Sequence, residues 1–140
     1  MSVQSHSHSH PFLNDLSLPQ IEHELSLSRA RIEEITGRQV TACSCPGGRY
    51  NRAVLTAARR QGYRAVCTSR PRPNVRKAGR DPVLVDRFLI GSATAPETFR
   101  GIVELRPAVL RSLALRSFAT GLPKRLLGNR LYHRLWRRFH

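Results

Sequence analysis

Acidic residues are scarce in this chain: nine Asp and Glu stand against 24 Lys and Arg over 140 residues, for a formal net charge of +15. Cysteine is limited to Cys43, Cys45 and Cys67, too few for a disulfide framework. A C-x-C pair with one distant partner also misses the four-ligand pattern of a structural zinc site. The three are expected to be reduced, mostly buried thiols on strands. No apolar run approaches the roughly 18 residues of a membrane span. The N-terminus has neither the basic start nor the apolar stretch of a signal peptide, so the location is unassigned and cytoplasmic as written. Aromatic residues are 6% of the chain and are not interleaved with bases into a stacking platform, so no specific nucleic-acid partner is expected. There is no G-x-S-x-G elbow, Walker loop or dinucleotide fingerprint.

Apolar residues are 40% of the chain, in a mass of 15.8 kDa. That supports a packed core in one domain, or in part of one, and excludes wholesale disorder. The charge is unevenly placed. Residues 1–40 carry five acids and three Arg; residues 41–140 carry 21 bases and four acids. An Arg-rich half of this kind suits nucleic acid or an anionic membrane. An ordinary solvated surface would look the same.

The order of local signals reads as α/β. Pro11 favours an extended His10. Ser17-Leu18-Pro19-Gln20 is a capping box opening a helix, with Leu18, Ile21, Leu25, Ile32 and Ile35 on one face and Gly37 as its C-terminal cap. Val40 to Cys45 is a short β-prone run broken by Pro46-Gly47-Gly48. Asn51 can cap a second helix with Val54, Leu55 and Ala58 inward and Gly62 at its end. Tyr63 to Thr68 is the next strand and Val83 to Ile90 another. Strands and helices alternating at short spacing are the mark of βα units around a parallel sheet. Thr94-Ala95-Pro96-Glu97 reads as a second capping box, opening a helix through Phe99, Ile102, Val103 and Leu105. Pro107 should kink or restart it, and Leu110, Leu113 and Phe118 continue the stripe. A last basic helix over 122–139 sets Leu127, Leu131 and Leu135 against Arg130, Arg134, Arg137 and Arg138. It can pack on the rest of the protein, lie on a membrane surface or dock on a partner.

Two stretches could carry chemistry. His6, His8 and His10 offer imidazoles, and two such rings a few residues apart can share one metal ion. A frayed polar terminus or a tag remnant would have the same composition. Ser44-Cys45-Pro46-Gly47-Gly48-Arg49-Tyr50 brings bare backbone amides to a strand end, where they can hold an oxyanion. An ordinary βα loop would do so as well.

In their combined order these pieces resemble the polysaccharide deacetylases, the NodB-homology or carbohydrate esterase family 4 proteins. His6-Ser7-His8-Ser9-His10-Pro11 is similar to the family's His-Ser/Thr-x-x-His motif. Ile21 to Gly37 is similar to the helix that follows that motif. Ser44 to Tyr50 falls where an Arg-x-Pro-Tyr-Gly motif is expected, and Asn51 to Ala65 resembles the run into the next strand. The resemblance covers about residues 5 to 70. It implies a distorted (β/α) barrel with its site at the C-terminal strand ends, and metal-dependent hydrolysis of N-acetyl or O-acetyl groups on a carbohydrate. It also implies a zinc ion held by an Asp and two His. His6 and His10 would be metal ligands, His8 would fall on a variable position, and the Gly47 backbone amide would be the oxyanion donor.

Departures from the pattern carry their own expectations. No Thr-Phe-Asp-Asp-Gly motif precedes His6, Ser44 stands in place of the motif's Arg, and Gly47 in place of its Tyr. The late Leu-x-x-His motif has no counterpart. The expected architecture is therefore a partial (β/α) barrel over residues 1–92, lacking its N-terminal strands, followed by C-terminal helices over 93–140. Expected partners are an N-acetylated glycan, a second copy through an exposed sheet edge, and a membrane surface touched by 122–139. The competing expectation is a small basic non-enzymatic module that binds nucleic acid or an anionic membrane.

Overall fold

The computed structural model describes residues 2–74 and 83–119. The chain divides into two compact units, Met1–Arg87 and Phe88–His140.

The first unit is built on a small parallel sheet. Its strands are β1 (Ala42–Ser44), β2 (Ala65–Cys67) and β3 (Val83–Val85), in the order β1-β2-β3. Cys43 is level with Val66, and Val66 with Leu84. Ser5 adds an isolated parallel bridge to Cys43 on the outer side of β1. The Ser5 N–H donates to the Ala42 carbonyl at 3.2 Å and the Ser44 N–H to the Ser5 carbonyl at 2.8 Å. Gln4 extends this attachment, its Oε1 accepting from the Thr41 and Ala42 N–H groups at 3.0 and 2.9 Å. Because all these segments run the same way, the residues after each of them meet at one rim. Those residues are His6, Cys45, Thr68 and Asp86-Arg87.

Two helices pack together beside this sheet. Helix α1 spans Leu18–Thr36 and α2 spans Arg52–Arg60. The box at the start of α1 is formed, with Gln20 Oε1 accepting from the Ser17 N–H at 3.0 Å and from its hydroxyl at 2.8 Å. Gly37 ends α1 at φ +62°, a left-handed conformation that glycine adopts without penalty. The Asn51 side chain caps α2 by accepting from the Val54 N–H at 3.0 Å. Ile21 and Leu25 of α1 join Val54, Ala57 and Ala58 of α2, Val40, Cys43, Cys45, Tyr63 and Val66 in one core, closed at one end by Leu13. The Tyr63 hydroxyl donates to the Leu25 carbonyl at 2.8 Å, and burial first of all pushes its pKa up to about 12. Glu33 ties the end of α1 to the approach to β1, accepting from the Val40 N–H at 2.8 Å and from Arg29 Nε at 2.9 Å. Those bonds, led by the Val40 amide, hold its carboxyl below the usual range.

Several expectations need correction. Ile35 does not join the buried stripe but is 69% exposed. Nine-residue α2 cannot cover the last turn of nineteen-residue α1. The strands are shorter than their β-prone runs, and β3 stops at Val85. There the backbone leaves the ladder, and Asp86 exchanges two 2.8 Å hydrogen bonds with the side chain of Asn74. All three cysteines are free, with Cys43 and Cys45 buried and Cys67 partly so. Burial dominates both buried thiols, taking Cys45 up to about 11 and Cys43 further in the same direction.

In the second unit, α3 spans Pro96–Val103. Its N-cap is Ala95 rather than Thr94, because the Thr94 hydroxyl is engaged by the Gly91 N–H at 3.0 Å. Helix α3 ends before Leu105, which sits at φ +53°, and a further helix runs over 107–119, restarting at Pro107. The expected stripe is largely solvent-facing among the described residues: Phe99, Val103, Leu105 and Phe118 are all at least half exposed. The expected basic helix over 122–139 lies outside the described residues. No helix among the described residues is long and apolar enough to cross a membrane.

Candidate functional site

The parallel alignment of Ser5 with β1 delivers His6 to the rim where the strands end. The His6 Nδ1 lies 2.8 Å from the Ser44 carbonyl oxygen. A carbonyl only accepts, so Nδ1 carries the proton and Nε2 presents its lone pair. The chain then turns back on itself. Ser7 and His10 take φ of +65° and +61°, left-handed conformations that cost non-glycine residues on the order of 1–3 kcal/mol each. His10 is therefore not extended, despite Pro11 beyond it. Its N–H donates to the Ser7 hydroxyl at 3.1 Å, closing the turn. The outcome is that His10 Nε2 sits 3.2 Å from His6 Nε2, with the ring centroids 4.9 Å apart.

Strain of this kind persists only where the surroundings over-determine it, and Glu24 supplies much of that constraint. From the middle of α1 its Oε2 accepts from the His8 and Ser9 N–H groups at 2.9 and 2.8 Å, and its Oε1 from the Ser9 hydroxyl. Partial burial pushes the Glu24 carboxyl up, but the Ser9 hydroxyl, the two amides and the nearby His8 outweigh it, and the net pKa is lowered. Sequence patterning did not single out Glu24. It reads as one more acid on a solvated helix face, and the groups it holds are backbone amides 15 and 16 residues away. His8 itself is exposed, and the hydrogen bond it gives Glu24 comes from its amide.

Two imidazole nitrogens converging at 3.2 Å suit a shared divalent ion. Zinc–nitrogen bonds of about 2.0–2.1 Å at a tetrahedral angle separate two ligands by about 3.3 Å. The carbonyl bond to His6 Nδ1 is the outer contact that metal-binding histidines ordinarily make. Among the described residues, no third His, Cys, Asp or Glu completes a group of three around the pair.

Gly47 stands on the same rim, three residues after Ser44. It takes φ +62° inside the short 3-10 turn Pro46–Gly48. The Phe12 ring lies so close that a Cβ on Gly47 would meet its Cε1 at 2.7 Å. Phe12 follows His10 by two residues, so the ring joins the histidine turn to the glycine turn. The Gly48 N–H is used by the Cys45 carbonyl at 2.8 Å, whereas the Gly47 N–H has no acceptor among the described residues. Arg49 stacks over Phe12 at 4.5 Å and Arg70 over Tyr50 at 5.0 Å, which places two cations beside the turn.

Ser44 also receives Arg87, which the sequence patterning passed over. Arg87 Nη2 donates to the Ser44 hydroxyl at 2.6 Å and its Nε to the Thr68 carbonyl at 3.0 Å. One residue therefore carries His6 on its backbone and Arg87 on its side chain.

Comparison with known proteins bears on the family and the fold. The polysaccharide deacetylase family model matches residues 1–66. YxkH of Bacillus subtilis, a protein named for the same family, is 35% identical over 71 residues, which are 51% of this chain and 25% of YxkH. A Streptococcus pyogenes deacetylase solved in complex with acetate superposes with a TM-score of 0.63 at 25% identity, over 73% of this chain and 44% of that one. A Bacillus cereus polysaccharide deacetylase does so with a TM-score of 0.65 at 28% identity, over 73% of this chain and 32% of that one. The chain thus spans a quarter of the length of the curated relative and less than half of either solved structure. Residues 1–66 thus match the polysaccharide deacetylase family in sequence, and the fold is similar to that of solved NodB-like deacetylases.

Proposed function

We propose that this chain carries the two-histidine half of a zinc site serving hydrolysis of N-acetyl, or O-acetyl, groups on a carbohydrate, and that it is weak or inactive as these 140 residues stand. The observation that carries the reading is the approach of His6 Nε2 and His10 Nε2 to 3.2 Å with His6 Nδ1 committed to the Ser44 carbonyl. A zinc ion in such a site supplies Lewis acidity toward the acetyl carbonyl and lowers the pKa of water.

The protein's own groups do the positioning. Ser44 fixes the His6 ring, Glu24 fixes the turn that returns His10 to it, and the Gly47 N–H is free to donate to the oxygen on which negative charge develops. Weak chemistry follows from what surrounds the pair. Two neutral donors bind a divalent ion less firmly than the three or four of a complete site. The sequence also contains no adjacent Asp pair to supply a third ligand and a general base. The comparisons lend no support to a nucleic-acid-binding module. Neither a dimer through the sheet edge nor a membrane contact by 122–139 has support among the described residues.

Equilibrium dialysis against zinc at neutral pH, followed by metal analysis, tests the reading. The wild type and His8→Ala should each take up one zinc per chain, and His6→Ala and His10→Ala should take up none. Failure of the wild type to bind, or unchanged uptake in both single variants, overturns it.

A further inference from the structure

Most arginines among the described residues are exposed to solvent, where an unpaired cation costs little. Arg87 is different. It is half-buried at the rim, held by the Ser44 hydroxyl and the Thr68 carbonyl, and none of the ion pairs among the described residues includes it. The nearest acid in sequence, Asp86, accepts the Thr68 hydroxyl on its carboxylate and makes no ion pair with Arg87, while its backbone is held by Asn74. The guanidinium is thus partly desolvated and fixed by two neutral acceptors. Its remaining N–H donors have no hydrogen-bond partner among the described residues.

A planar fork of this kind is matched by a carboxylate, which accepts two of its N–H groups at once. Cations outnumber the one nearby carboxylate, that of Asp86, at this rim. Arg49 and Arg70, parked on the Phe12 and Tyr50 rings, add positive charge to the same rim. The acid of the histidine turn, Glu24, is already occupied by two amides and a hydroxyl. Ser44 alone separates Arg87 from His6.

We infer that Arg87 is a carboxylate-receiving residue of this site, and that it selects N-acetylated glycans bearing an acidic group over neutral ones. The inference rests on the glycan reading above and adds the substrate's charge to it. A carboxylate could come from a uronate of the glycan or from free acetate, and the assignment is to the glycan.

The test is calorimetric titration of the full chain, with and without zinc. The probes are a neutral N-acetylglucosamine oligomer, an N-acetylglucosamine–glucuronate oligomer of the same length, and acetate. The acidic oligomer should bind about tenfold more tightly than the neutral one. Arg87→Gln should erase that preference and Arg87→Lys should restore part of it. Arg64→Gln, at the opposite rim where the Arg64 N–H meets the Thr41 carbonyl, should leave it intact. Circular dichroism of each variant separates lost binding from lost folding. Should Arg87→Gln not fold, the fall in preference from wild type to Arg87→Lys decides, since the lysine keeps the charge but loses the fork. Equal affinity for the two oligomers, no binding of either, an unchanged preference in the Arg87 variants or an equal loss in Arg64→Gln overturns the inference. So does acetate binding as tightly as the acidic oligomer. Zinc uptake of the same samples is read separately. A preference for the acidic oligomer that survives in zinc-free His6→Ala protein sinks the metal reading alone, and zinc uptake without a preference sinks only this one.

Discussion

His6 Nδ1 lies 2.8 Å from the Ser44 carbonyl oxygen, and that bond decides which nitrogen of His6 is left to act. With Nδ1 protonated, His6 Nε2 accepts, so in metal-free protein His10 Nε2 must donate across the 3.2 Å between the rings. Zinc needs both Nε2 lone pairs. Nitrogen-15 NMR of the imidazoles should therefore show His6 in the Nδ1–H form throughout. His10 should change from Nε2–H to Nδ1–H when zinc is added. A His6 ring in the Nε2–H form, or no change at His10, would contradict the arrangement.

Glu24 holds the turn without touching any ion itself. Glu24→Ala should leave the fold intact and weaken zinc binding about 10- to 100-fold, the usual effect of losing an outer contact. Competition with a chromophoric chelator measures this. Glu24→Gln, which keeps one acceptor oxygen, should fall between the variant and the wild type.

The lowered pKa of Glu24 also has a stability consequence of definite sign. A carboxyl more acidic in the folded state contributes its stability above its unfolded pKa, and loses it as the pH falls through the folded value. Thermal melts from neutral pH down into the acid range should show the wild type losing more stability than Glu24→Gln. The gap between the two should close below the folded pKa. A gap that is constant with pH would refute the coupling.

Gly47→Ala should cost about 1–3 kcal/mol in urea unfolding, from a side chain at positive φ, and more from the clash with Phe12 at 2.7 Å. The two contributions separate in a double-mutant cycle. Adding Phe12→Ala should recover the clash and leave the backbone cost.

Asn51→Ala removes the cap of α2 and the 3.2 Å bond from Asn51 Nδ2 to the Asn14 carbonyl. A loss of about 1 kcal/mol is expected by urea titration, with Asn51→Asp retaining most of the cap. No change in Asn51→Ala would mean the cap is redundant.

How much of this was readable beforehand follows from the range of the forces. The ends of α1 were legible because Ser17, Gln20 and Gly37 act within a turn of their own position. The same holds for Asn51 and for the restart at Pro107. Thr94 shows the limit even of local rules, since its hydroxyl accepts from the Gly91 N–H behind it and caps no amide of α3. Ile35 failed for another reason: periodicity tells which face is apolar, not how far the neighbouring helix extends. His6, His10 and Gly47 were singled out as candidates through a motif whose spacing survives in the chain. Glu24 and Arg87 were not, because what they touch lies 15 and 43 residues away. Nothing in the local sequence distinguishes a clamp from an ordinary surface charge.

The common direction of the strands sorts the consequences of change in this protein. At one rim stand His6, Ser44, Gly47 and Arg87, and at the other Gln4, Thr41 and Arg64 hold the sheet together through its backbone. A saturation library assayed separately for ligand capture and for protease resistance should therefore split into two populations. Changes to the His6, Ser44 and Arg87 side chains would silence the protein while leaving it folded, and loss of the Gln4 side chain would loosen the sheet, whereas the exposed Arg64, which pairs through its backbone N–H alone, tolerates a change of side chain. A fluorophore or surface tether attached at Arg64 would leave the first rim open to solution.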